Sequence, residues 1–151
     1  MSSALFAFLH HVAAFVVFAA LFAELVLIEN VFDGALARAL ARVDAMYGLA
    51  ALALILCGAV RVHFTEKGVA FYLHNAAFIM KIALFVAIGL LSIYPTRRFI
   101  AWRRELQAGR TPVLDAPVRS KIRSRVHLEL GLFLLAALCA VLMARGIGQF
   151  G

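Results

Sequence analysis

Four long runs of apolar positions, divided by short polar interruptions, organise the chain. Residues 4–28 are broken only by His10, His11 and Glu24, and a helix of that length crosses the roughly 30 Å of bilayer hydrocarbon. No Lys or Arg precedes this run, and it is longer than the apolar core of a secretory signal, so it reads as a retained span. Residues 44–62 form a shorter second run that closes on Arg61. Residues 72–94 form a third, with His74 near its start, Lys81 inside it and Pro95 directly after, where a missing N–H predicts the helix end. Residues 126–144 form the fourth, with Ser124 as its candidate cap and Glu129 near its first turn. The pattern predicts an all-α transmembrane four-helix bundle of up-down topology, forming one integral membrane domain over residues 1–151.

Composition sharpens this picture. Of 151 residues, 65% are hydrophobic, against about 45–50% in a soluble domain, and the mean hydropathy is +0.97. Only 15% are charged, yet 15 Lys and Arg against 8 Asp and Glu leave a net charge of +7. Nine of those 15 cations lie in residues 96–125: Arg97, Arg98, Arg103, Arg104, Arg110, Arg119, Lys121, Arg123 and Arg125. The positive-inside rule makes this stretch a long basic cytoplasmic loop between helices three and four. Both termini then face outward, Arg38 and Arg42 lie inside, and the connection with Glu66 and Lys67 lies outside. Trp102 is expected either in an extension of the third helix or as an interfacial anchor, ahead of breaks at Gly109 and Pro112. The stretch has neither interleaved aromatics nor a binding-fold signature, so the charge needs no nucleic acid. The expected setting is the inner membrane of a bacterium, as a multi-pass protein in the lipid bilayer and a possible homo-oligomer.

Ionisable side chains inside spans are costly and usually face a bundle interior, pair with a partner or do chemistry. On this topology they form two layers. The outer layer holds His10, His11, Arg61, His63, His74 and Lys81. At 1.5 Å per residue, His10, His74 and Lys81 lie about 9, 3 and 13 Å below their helix starts, so the depths overlap. Two helices presenting imidazoles at matching depth can ligate b-type haem. His10 and His74 are therefore candidate iron ligands, and Arg61, Lys67 and Lys81 are candidate partners for the propionates. Phe15, Phe78 and Gly58 are candidates for the walls. The competing reading is interfacial histidines bonded to carbonyls, with Lys81 snorkelling outward. The inner layer holds Glu24, Arg97, Arg98, His127 and Glu129, read as ion pairs across helix ends, with Glu24 alternatively the inner end of a proton path from His10. Cys57 and Cys139 share a depth and read as inert thiols or a redox pair, while Met46, Met80 and Met143 read as packing. Gly48, Ala51, Ile55 and Gly58 form a stripe suited to close helix approach.

The segments "FLHHVAAFVVFAALFAEL", "YGLAALALILCGAVRV" and "FYLHNAAFIMKIALF" resemble a family of small four-span bacterial membrane proteins known as a domain of unknown function, over most of the chain. More distantly the plan resembles HemJ-type protoporphyrinogen oxidases and CopD-like copper-resistance membrane proteins. The HemJ resemblance implies a haem-ligating histidine at His10, with His74 and Lys81 in the place of that family's later histidine and lysine. Here six residues separate those two. The expected function is a membrane protein binding b-type haem or a porphyrin through His10, His74, Arg61 and Lys81, with a redox role of the HemJ oxidoreductase kind. The alternatives are a non-catalytic protein acting by packing or partner assembly, and a small transporter subunit.

Overall fold

A computed structural model describes residues 2–64 and 68–150 and folds them into five helices: α1 Ser2–Leu27, α2 Gly34–Phe64, α3 Gly68–Leu73, α4 Ala76–Gln107 and α5 Ala116–Ala144. Glu66 and Lys67 lie outside the described residues. Helix α1 packs chiefly on α2, and α4 on α5; the two hairpins then meet through α2 against α4 and α1 against α5. One end of this up-down bundle carries the connections 28–33 and 108–115 and is called here the loop end. The other carries α3, the start of α1 and the segment after α5 and is called the terminal end.

Among the described residues, four helices are long and apolar enough to cross a membrane: Ala4–Leu27, Gly34–Phe64, Ala76–Gln107 and Ala116–Ala144. Their outer faces are apolar as well, with Phe15 73%, Leu49 70% and Leu90 62% exposed. Water would not tolerate so continuous an apolar surface, whereas lipid tails cover it without cost.

The helices run further than the apolar runs do. Helix α4 has 32 residues, about 48 Å at 1.5 Å per residue, well beyond the hydrocarbon thickness. Pro95 lies inside it rather than at its end. Proline cannot donate to the carbonyl four residues back, which is Leu91, and a partner on α5 supplies the missing bond: Arg125 Nη1 donates to Leu91 O at 3.4 Å. A neighbouring helix thus satisfies the freed carbonyl, and α4 continues.

Beyond Pro95 the helix is amphipathic. Phe99 and Trp102 are buried, and the Trp102 ring stands 4.8 Å from that of Phe32 in the 28–33 connection. From α5, Ile122 and Val126 enter the same core, and from α2, Leu36 and Leu40. Trp102 is therefore a core residue and not an interfacial anchor. Most of residues 96–125 is helix, with the connection reduced to 108–115 and Gly109 turning it at φ 72°. Most of the cations sit on the exposed face of this extension, and Arg119 reaches back to cap α1, donating from Nη1 to Ile28 O at 2.9 Å. Helix α5 starts at Ala116, with Pro117 in its first turn, so Ser124 falls inside it. Helix α2 starts at Gly34, where Asp33 Oδ1 accepts the Leu36 N–H at 2.7 Å, an N-cap bond ten residues ahead of the expected start.

At the terminal end the third apolar run is interrupted at Asn75. This residue is fully buried and caps α4 by accepting the Phe78 N–H at 3.1 Å. The segment after α5 folds back onto it, with the Ala76 N–H bonded to Gly148 O at 2.8 Å. Gly148 has φ 92°, and a Cβ there would meet Ala77 N at 3.3 Å, so glycine permits the approach.

Candidate functional site

A cavity of about 310 Å³ opens near the terminal end, between α2 and α4. His10 enters it from α1, Arg61 and His63 from α2, Lys81 from α4 and Met143 from α5. Tyr72, Phe78 and Phe85 supply aromatic wall, and Ile55 and Ile82 lie on its outward, lipid-facing side.

The inward-facing histidine is held by a neighbouring helix. His10 Nδ1 lies 3.1 Å from Leu54 O. A carbonyl only accepts, so in the neutral ring the proton sits on Nδ1 and Nε2 carries the lone pair. This is the tautomer seen when imidazole ligates a metal through Nε2 and donates its other N–H to a backbone carbonyl. Gly58, one turn beyond Leu54, lies against the ring: a Cβ at this position would come into van der Waals contact with His10 Cε1 at 3.4 Å, and a larger side chain would crowd it. His11 is exposed and bonds within its own helix, Nδ1 to Ala7 O at 2.6 Å. Of the two adjacent histidines, His10 alone faces the bundle.

Arg61 and Lys81 are half-buried and lie within electrostatic reach of each other and of His10. Among the described residues neither makes an ion pair, and no carboxylate lines the cavity. Two cations facing low-dielectric surroundings, with no counter-charge among the described residues, favour an anion between them.

His74 is not part of this arrangement. It sits between α3 and α4, exposed, with Nδ1 bonded to Ala70 O at 2.8 Å and its ring 6.1 Å from that of Phe150. The break at Asn75 turns it away from the cavity, so His10 and His74 do not face each other across a common space. Phe15 likewise points outward, whereas Phe78 and Gly58 line the cavity. His63, placed in the outer layer by the sequence, lines it too, as does Phe85, and Tyr72 and Met143 do so without having been read as site residues. Cys57 and Cys139 are both free and half-buried.

The inner layer is also differently arranged from the expected ion pairs. The one ion pair found among the described residues joins Arg123 and Glu29 at 3.4 Å on the surface. Arg97 and Arg98 are exposed, and Arg98 lies over the Tyr94 ring, as do Lys121 and Arg125. Glu24 and Glu129 are buried, each with Oε1 unbonded. Arginines at this end reach aromatic rings, carbonyls and solvent more readily than the bundle interior. No group of three or more His, Cys, Asp or Glu among the described residues is placed to hold a bare metal ion.

A family model described as "Predicted membrane protein (DUF2214)" matches residues 2–148, and the chain belongs to that family. No curated protein and no solved structure matches it. The protein is thus an integral membrane protein of a family whose description carries no activity.

Proposed function

We propose that this family member binds an amphipathic anion, with a flat apolar body and carboxylate groups, in the terminal-end cavity, and that b-type haem is the specific candidate. The observation that carries the reading is the make-up of the cavity: Arg61 and Lys81 without an ion-pair partner among the described residues, His10 with Nε2 available, and Phe78 and Phe85 as apolar wall. Arg61 and Lys81 hold the carboxylates, and their mutual repulsion is relieved when they do. His10, oriented by the Leu54 carbonyl, would hold the iron through Nε2 when the anion carries iron. His74, exposed and bonded to its own turn, is left out of the ligand set. The cations concentrated at the loop end favour the cytoplasm for that end, giving an N-out, C-out protein of a bacterial inner membrane with the cavity near the outer face.

Titration of the detergent-purified protein with haem and, separately, with metal-free protoporphyrin tests this. Both are expected to bind. A double change of Arg61→Ala and Lys81→Ala weakens both by about tenfold or more, equivalent to about 1.4 kcal/mol. His10→Ala removes the iron-dependent shift of the Soret band and leaves porphyrin fluorescence quenching in place. Failure of both compounds to bind at saturating concentration overturns the proposal.

A further inference from the structure

Three carboxyl groups from three helices meet inside the bundle, closer to the loop end than His10. Glu24 on α1, Asp44 on α2 and Glu129 on α5 are 2%, 8% and 1% exposed, and lie within electrostatic reach of one another. Asp44 Oδ1 accepts a 2.6 Å bond from Thr96 Oγ1 on α4. Glu24 Oε1 and Glu129 Oε1 have no hydrogen-bond partner. Few other charged or titratable groups face the layer. The Tyr47 hydroxyl lies beside Glu129 and Ser92. Arg125, within reach of Glu129, gives Nη1 to Leu91 O and lies over Tyr94. Helix α4 contributes Arg103 to the adjoining cavity.

Burying an ionised carboxylate without a counter-charge costs several kcal/mol or more, and neighbouring carboxylates add repulsion. None of the three is ion-paired among the described residues, so a proton or a bound cation must neutralise the layer. The same residues hold no acidic group placed to take a metal ion, which favours the proton. A route to it exists. A second cavity, about 490 Å³, follows the α2–α4 groove from Asp44, Tyr47, Ser92 and Thr96 to Arg103 at the loop end. Ile55 and Phe85 line both cavities and so form the partition between them.

We propose that Glu24, Asp44 and Glu129 form a proton-exchange site inside the membrane, loaded from the loop end through this second cavity. A hydronium ion in the cavity loses a proton and leaves water, while an O–H bond forms on the Asp44 carboxylate. Asp44 passes that proton to Glu24 or Glu129 when the acceptor is a carboxylate, an O–H bond forming there as the one on Asp44 breaks, and the reverse steps return the proton to water in the cavity. The inference is independent of what the first cavity binds.

Infrared spectroscopy of the lipid-reconstituted wild-type protein tests it. The expected result is a carboxylic-acid C=O band that shifts on transfer from H₂O to D₂O within minutes while the helical amide band stays unchanged. Glu129→Gln lowers its intensity, and Thr96→Val moves the Asp44 component without removing it. Absence of the band, a band that does not exchange in the folded protein, or its loss on adding Na⁺ at constant pH would each overturn the proposal. Wild-type exchange decides the matter even where the glutamine variant fails to fold.

Discussion

Pro95 and Arg125 act as a pair across two helices, because the carbonyl that proline leaves open is the one the guanidinium fills. Arg125→Leu orphans Leu91 O and removes a cation from the Tyr94 ring, and should cost about 1–3 kcal/mol in thermal unfolding followed by circular dichroism. In a Pro95→Ala background the residue-95 N–H serves that carbonyl itself, so the same change should cost measurably less; equal costs would show that the two are uncoupled. Gly58 has a similarly local task. Gly58→Leu should push the His10 ring off Leu54 O and abolish ligand binding with little loss of stability. Gly48→Leu, at a position with no neighbour within 4 Å, should bind normally. The contact atoms of neither pairing were legible in the sequence, where Pro95 signalled a helix stop and Gly58 stood both as a candidate wall of the site and in a stripe for helix packing. Both depend on which backbone atoms a second helix presents.

At the scale of helices, the apolar cores of the four spans were legible because lipid-facing and buried positions are both apolar and make unbroken runs. Their ends were not. Beyond Pro95, Phe99 and Trp102 stand among arginines, so average hydropathy falls although one helix face remains buried. Trp102→Ala should cost about 3–5 kcal/mol, as for a large core aromatic. Leu90→Ala, facing outward near mid-helix, should cost less than about 1 kcal/mol, since lipid fills the space. Similar costs for the two in one detergent would contradict an inside-out bundle with its best-packed core at the loop end. Asn75→Ala should cost about 1 kcal/mol for the lost cap, together with faster proteolysis of the segment after α5.

Across the whole molecule, two tight hairpins leave a groove between α2 and α4, and both cavities lie along it. The sequence singled out His10, Arg61 and Lys81 as ionisable groups at similar depth, and the fold brings these three together. It also singled out His74 by the same reasoning, and there depth along a helix was a poor guide: the break at Asn75 shifts the facing of everything before it. His11 illustrates the complementary limit, since two adjacent histidines point about 100° apart on a helix and only packing shows which one faces inward. The most direct test of the account is the visible spectrum of the protein loaded with haem, compared among wild type, His10→Ala, His11→Ala and His74→Ala at equal folded concentration. The account predicts a shifted Soret band that is lost in His10→Ala and kept in the other two; a band that survives in His10→Ala, or disappears in His74→Ala instead, would contradict it.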